Sequence, residues 1–434
     1  MTPKSDEKIT RKDFLGRLGH LTLGSAALGM FPWLEGCTGE AQKNKAGKKA
    51  RLGIIGTGSR GRFHIENLLK DESAKIVALC DDYRPHLEEA AAICPKAKLY
   101  DDYRKLLEDK EVDGVIICTP LYLHARMTVD SLQAGKHTFC EKAMAYEESE
   151  LNWILSEWKA SGRVLMIGQQ RLFDPKYVKA MELIHSGAIG QVVGIRNYWY
   201  RNNDWRRPVP SPELERRINW RLYSEYSRGL MTELACHQLQ NGSWAMGGIQ
   251  PEMVTGSGSI LYWKDSREVF DNVATIYTYP NGVNMTFESI ISNKHFGMGE
   301  QILGTEGTID LVRGVMYSET PRTRSGIRQL LEQIEQGILS NSAFAGTSWA
   351  TEFGSDDKGV RFIDNVTLNT GESSVGAAGD GSVELMHAFC HAVISGHQPE
   401  RIVEEACWST LLALLGDKAT RERSVIKIPN KLSL

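Results

Sequence analysis

The chain has no CxxC pair and no cysteine or histidine spacing of the kind that holds zinc, so no metal is implied. Positive charge is not in excess: 51 Lys and Arg stand against 54 Asp and Glu, giving a net charge of -3 and a pI near 6.4. That balance argues against a general nucleic-acid binder, which carries a basic surplus, and favours a small molecule as partner. Long apolar runs are missing too. The one near the N-terminus, from Leu21 to Phe31, is too short for a stable membrane span.

What is present is 434 residues, 41% hydrophobic and 24% charged, enough for two domains with separate cores. Several of the eight cysteines lie inside apolar runs, where the thiol behaves as a small hydrophobe. That suits folding in a reducing compartment, even with later export. The segment Thr10-Arg11-Lys12-Asp13-Phe14-Leu15 and the apolar stretch after it have the order of an export signal. The basic pair resembles the twin-arginine type with Lys12 in its second place. Leu34-Glu35-Gly36-Cys37 resembles a bacterial lipoprotein cleavage box, and residues 38–50 read as a tether. The expectation is an exported, periplasmic or membrane-tethered lipoprotein that begins at Cys37. The other reading is an N-terminal helix on a cytoplasmic enzyme.

The chain is organised around the strand Leu52-Gly53-Ile54-Ile55 and the turn Gly56-Thr57-Gly58-Ser59-Arg60-Gly61. Gly56 allows a tight turn, Gly58 lets backbone approach a pyrophosphate, and Gly61 lets the following helix lie close to the strand. The pyrophosphate would rest on the free N–H groups of that helix. Asp81 lies twenty residues beyond Gly61, where a carboxylate accepts ribose hydroxyls. NAD is expected over NADP, because Asp81 would repel a 2′-phosphate; Arg84 nearby leaves NADP open. The bland alternative is a structural turn followed by a surface acid.

Helical stretches and short apolar runs alternate up to Gly168, which predicts a doubly wound parallel sheet with its ligand beyond the carboxyl ends of the strands. Thr119, Pro120, Tyr122, His124, Glu141, Lys142 and Gln169 fall at those ends. Beside a nicotinamide, Lys142 could donate to a substrate hydroxyl and favour its alkoxide. Otherwise it is a strand-end lysine in a solvent ion pair.

Further on, Asn197 to Pro208 mixes aromatic rings with amides and guanidinium groups, as a sugar site would, and a plain aromatic sheet face is the competing reading. Arg171, Trp199, Tyr200, Trp205 and Arg206 are the candidates for substrate contact. Single-stranded nucleic acid could use the same residue types, but the overall charge opposes it. In Arg228 to Gln240, a helix would put Glu233 and His237 on one face, where the carboxylate could orient the imidazole and stabilise its cation. A surface ion pair is the alternative. Strand-like segments between Met253 and Leu311, with a hairpin signal at Asn281-Gly282, predict an open, mostly antiparallel sheet with one face exposed. Residues 312–382 form an insertion in which Ile327 to Ile338 reads as helix and the Ser/Gly/Ala-rich stretches as loops. Val383 to Ser395 and Val403 to Arg423 read as helices; His387, His391 and His397 are structural, since no acidic or thiol partner completes a metal set.

Gly56-Thr57-Gly58-Ser59-Arg60-Gly61, then Cys118-Thr119-Pro120 with His124 after it, then Glu141-Lys142-Ala143 resemble the Gfo/Idh/MocA oxidoreductases, the glucose-fructose oxidoreductase and inositol dehydrogenase relatives. The resemblance covers residues 51 to about 310 and returns near the C-terminus. It implies an N-terminal Rossmann domain over 51–170, a substrate and oligomerisation domain over 171–382, and helices over 383–434 that pack back on the first domain, all behind the signal and tether of residues 1–50. It also implies tightly held NAD bound by Gly56, Gly58, Ser59, Arg60, Gly61, Asp81, Thr119, Pro120, His124, Glu141, Lys142 and Gln169, and a homo-oligomer. The family usually has Glu-Lys-Pro where this chain has Ala143, so a cis-proline turn cannot form there. Lys142 and His237 inherit catalytic roles, with Glu233 in the place of the usual Asp. The expected reaction is hydride transfer between nicotinamide and a secondary hydroxyl of a sugar, glycoside or cyclitol, with C3 of a glycoside favoured. Two alternatives stand beside it: an NAD-dependent glycoside hydrolase of the N-acetylgalactosaminidase kind, acting through transient C3 oxidation and elimination, and a non-catalytic sugar-binding lipoprotein.

Overall fold

A computed structural model describes residues 47–319, 359–362 and 379–432. The export signal, the Cys37 cleavage box and the helix expected over Ile327 to Ile338 lie outside them.

The first half is a six-stranded, all-parallel sheet. Its strands are β1 (Ala50–Ile55), β2 (Ala74–Cys80), β3 (Lys98–Tyr100), β4 (Gly114–Ile117), β5 (His137–Cys140) and β6 (Leu165–Ile167), in the order β3-β2-β1-β4-β5-β6. Leu52, Ile54, Val115, Ile116 and Phe139 are completely buried because helices cover both faces. Those helices are α1 (Ser59–Leu68), α2 (Arg84–Ile93), α3 (Tyr103–Glu108), α4 (His124–Gln133) and α5 (Glu148–Ser161). The order reverses between β1 and β4, and in such sheets the ligand crevice opens at that switch. The short strand β3 was not anticipated, since its three residues are half exposed and carry no apolar run.

After α6 (Pro175–His185), the second half forms a nine-stranded sheet. It contains β7 (Val192–Tyr200), β8 (Met253–Ser259), β9 (Asn272–Thr278), β10 (Asn284–Ile290), β11 (Met298–Gly304), β12 (Gly307–Asp310), β13 (Val315–Ser318), β14 (Val360–Arg361) and β15 (Ile426–Lys427). The order is β14-β13-β12-β11-β7-β10-β9-β8-β15, antiparallel throughout except where β10 runs parallel to β7. Buried residues alternate with outward ones along β9, as a sheet covered on one face requires. Gly282 takes φ +86° at the predicted hairpin. The described ends of the insertion, β13 and β14, widen this sheet.

The inner face is covered by α7 (Cys236–Ala245) and the C-terminal helix α9 (Ile402–Glu422), while α8 (Ser382–Ser395) packs on α1 and β1 of the first half. Thus α9 does not only pack back on the first domain. It lies between β6 and β8, and Tyr277 in β9 donates to its Leu412 carbonyl at 2.8 Å. His387 does have an acidic neighbour, Asp71 at 2.8 Å, which ties α8 to the loop before β2. Among the described residues no cluster of His, Cys, Asp and Glu could hold a metal, and no helix is long and apolar enough to cross a membrane.

A cleft between a dinucleotide turn and a buried histidine

The glycine turn is built by close approach. Gly56 has φ +87°, and a Cβ there would sit 2.8 Å from the Cys118 carbonyl carbon at the end of β4. At Gly61 a Cβ would lie 2.1 Å from the Gly56 oxygen, so α1 can begin this near β1 only without a side chain. Gly58 caps α1 with no side-chain acceptor, which leaves the first N–H groups of the helix for an anion. Asp81 ends β2 and accepts from Thr57 N at 2.7 Å and Tyr83 N at 2.8 Å. Burial opposes its charge, but hydrogen bonds from His86, Tyr83 and Thr57 hold its pKa below the usual value. Arg84, the residue that left NADP open, pairs with Glu88 on the exposed side of α2. These features fit a dinucleotide. Gly61→Ala is therefore expected to weaken NADH binding by roughly a hundredfold or more, because the added methyl must displace the turn. A fluorescence titration that finds wild-type affinity would contradict this.

Thr119 and Pro120 stand half-exposed at the end of β4, on the groove. Four other residues expected to meet the cofactor are engaged inside the protein. Arg60 Nε donates to Glu141 Oε1 at 2.6 Å, and the same oxygen lies 2.8 Å from His64 Nε2, so Arg60 and Glu141 form a buried pair that fixes α1 to β5. Gln169 is fully buried and donates to Ser409 of α9 at 2.7 Å. His124 bridges two carbonyls, Ala143 at 2.7 Å and Thr119 at 2.9 Å, so both ring nitrogens donate and the ring is cationic. The Lys142–Ala143 peptide is cis, so the turn that seemed to need proline exists with Ala143, and His124 holds its carbonyl.

Burial alone would lower the His124 pKa, but the Cys140 sulfur and the two carbonyls push it up to about 9. A raised folded-state pKa stabilises the fold fully below the unfolded value of about 6.5, and that stabilisation is lost as pH rises through about 9. Thermal melts from pH 6 to 10 are expected to show a decline on the order of 3 kcal/mol that is missing in His124→Asn. Parallel pH dependence in the two proteins would contradict the cationic ring.

From that turn Lys142 reaches across to the second half, where its Nζ donates to the Glu233 carbonyl at 2.7 Å. Glu233 lies in a π-helical turn, Met231–Ala235, that runs directly into α7 and His237. The wide turn breaks the four-residue alignment that the helical reading assumed. Glu233 accordingly does not orient His237; its carboxylate accepts from Arg221 Nε at 2.9 Å. Burial opposes its charge, and Arg221 and then Lys142 outweigh that and keep its pKa low. His237 sits in the opposite field. Burial, then Lys142 and Arg171, push its pKa well below the ordinary value, so the imidazole is neutral, with a buried and unpartnered Nδ1.

The substrate candidates divide by strand parity. Asn197 and Trp199 face inward from β7, whereas Tyr200 points to the outer face, bonds Glu288 at 2.7 Å and stacks with Tyr198 and Phe296. Tyr200 therefore lies outside the cleft. Arg171 is buried and paired with Glu300 at 2.5 Å, with Tyr177 and Asn241 on the same carboxylate, so its guanidinium is engaged inside the protein. Arg206 is held by Asp265 at 3.1 Å and by Glu215. Trp205 has φ +61° and packs against the core. Arg201 lies 4.7 Å over the Trp199 ring, and among the described residues it has no carboxylate partner and its buried Nε is unpartnered. Asn197 and Arg201 fall in the stretch that reads as a sugar site but are not singled out there, and Arg221 is not read at all, because nothing in residue order separates an arginine with a carboxylate partner from one without.

Residues 50–169 match the profile described as "Oxidoreductase family, NAD-binding Rossmann fold", and residues 177–310 match the "GFO/IDH/MocA C-terminal domain". The chain is 30% identical over 381 residues to myo-inositol 2-dehydrogenase of Thermotoga maritima, covering 87% of this chain and 98% of that one. It is 25% identical over 266 residues to scyllo-inositol 2-dehydrogenase (NAD(+)) of Bacillus subtilis, covering 60% and 73%. Its fold superposes on levoglucosan dehydrogenase in complex with NADH and levoglucosan with a TM-score of 0.67 at 19% identity, over 88% of this chain and 100% of that one. A parallel dinucleotide sheet joined to an open sheet, matched over both halves, makes the chain an NAD-binding oxidoreductase of the Gfo/Idh/MocA family.

Proposed function

We propose that the protein oxidises, reversibly, a secondary hydroxyl of a sugar, glycoside or cyclitol, with C3 of a glycoside as the favoured position. The observation that carries this reading is the meeting of Lys142, from the end of β5, with the turn that leads into His237. Lys142 donates to the substrate oxygen and stabilises it as an alkoxide; neutral His237 accepts the hydroxyl proton. Glu233 acts on Lys142 and Arg221, not on the imidazole. Bound NAD supplies the hydride acceptor. Trp199 with Arg201 gives a flat apolar wall and a donor for a pyranose. Relatives named for inositols and a structural neighbour holding levoglucosan support the substrate class.

Incubation with NAD and a panel of cyclitols and glycosides tests the reading, with growth of the reduced-nicotinamide absorbance as the expected result. Glycoside cleavage without net change in that absorbance would replace it with the hydrolytic reading, and no turnover of any member would favour a binding protein. Export and lipid attachment through Cys37 belong to the same proposal, as does self-association, for which the outer aromatic group of Tyr198, Tyr200 and Phe296 is a suitable surface. Cys37→Ala is expected to move the protein from the membrane fraction to the soluble one; unchanged partitioning would remove the anchor.

A further inference from the structure

Residues 201–228 leave the second sheet and meet the first half at several points along the cofactor groove. Arg217 pairs with Asp82 at 2.6 Å and lies 5.5 Å over the Tyr83 ring, next to Asp81. Tyr226 meets Tyr122, just beyond the end of β4, with centroids 4.9 Å apart. Arg207, in the same segment, donates from Nη2 to Ser59 Oγ at 3.3 Å, at the first turn of α1.

The segment holds that arginine firmly at its backbone. Asn219, 2% exposed, accepts from Arg207 N at 2.7 Å and donates to the Arg207 carbonyl at 3.0 Å. Glu215 fixes Asn219 in turn, at 3.0 Å. The side chain is different: among the described residues the Arg207 guanidinium has no carboxylate partner. Partial burial, then Arg221 and Arg62, pull its pKa down. Arg62 has Glu89 at 2.8 Å and Arg221 has Glu233, so of these three cations Arg207 is the one without an anion. It stands over a helix start that, among the described residues, no side chain caps. A diphosphate would meet both needs, since its oxygens accept from backbone N–H groups and from a guanidinium fork together.

We propose that Arg207 is a cofactor-binding residue contributed by the second half of the chain. It closes on the diphosphate from the side opposite the glycine turn, and through it the 201–228 segment retains the dinucleotide between turnovers. This rests on the dinucleotide reading of Gly56 to Gly61.

The test uses the full chain, Arg207→Ala and Arg207→Lys, with NADH, ADP-ribose and adenosine as probes. NADH release is followed by stopped-flow fluorescence on mixing with excess NAD, and thermal melts check that the variants are folded. Arg207→Ala is expected to release NADH roughly tenfold to a hundredfold faster and to lose ADP-ribose affinity by a similar factor, while adenosine binding is unchanged. Arg207→Lys should recover part of the loss. Release at the wild-type rate, or equal loss of adenosine and ADP-ribose, would overturn the assignment of Arg207. Failure of the wild-type chain to bind either NADH or NADPH is a separate result, which would overturn the dinucleotide reading itself.

Discussion

Lys142→Ala is expected to lower kcat by roughly a hundredfold or more while NADH affinity stays within about threefold of wild type. The ammonium projects from the end of β5 into a half-buried cleft, where it already donates to the Glu233 carbonyl and has donors left for a substrate oxygen. In such a site a fixed positive charge stabilises a developing alkoxide far more than water does. Lys142→Arg keeps the charge but replaces a compact donor with a planar fork, so most of the loss should remain. Steady-state kinetics beside an NADH titration separate the two effects. Near-normal kcat in Lys142→Ala would remove the residue from the chemistry.

His237→Ala is expected to cost a similar factor, between about a hundredfold and ten-thousandfold in kcat. Its pH behaviour is more telling than its size. The wild-type imidazole is neutral because burial, Lys142 and Arg171 all disfavour its cation. The acid limb of kcat/KM should therefore lie well below the ordinary histidine range, with activity present above that limb. Removing the Lys142 charge should move the residual limb of Lys142→Ala to higher pH. A limb that stays in place when Lys142 is replaced would show that another group titrates.

The first half was legible because buried parallel strands leave near-continuous apolar runs. Gly61 could be read from spacing alone, and the 2.1 Å approach of its missing Cβ to the Gly56 oxygen gives the reason. Lys142 was legible by its position at a strand end. What the residues hid was partnership. Arg206 and Arg207 are adjacent and chemically identical, yet Asp265 and Glu215 engage the first and leave the second facing Ser59. Trp199 and Tyr200 differ by one place in β7 and so face opposite sides of the sheet. Glu233 and His237 have helical spacing, but the π turn between them sends the carboxylate to Arg221.

Ala143 shows the reverse case. The missing proline argued against a cis turn after Lys142, whereas the peptide is cis and the carbonyl of Ala143 is held by His124 from α4. That contact joins residues nineteen positions apart, which no local pattern encodes. Arg60, Glu141 and Gln169 lie near the carboxyl ends of the parallel strands, but their polar atoms bond His64, each other and Ser409.

The central claim is that Lys142 and His237 act together on a carbinol carbon beside bound NAD. Its most direct test incubates the protein with a glycoside deuterated at C3 and then weighs the released cofactor by mass spectrometry. The expected product is NADH one mass unit heavier, with the label absent from the Lys142→Ala and His237→Ala reactions over the same time. Unlabelled cofactor after full conversion of substrate, or equal labelling by the variants, would contradict it.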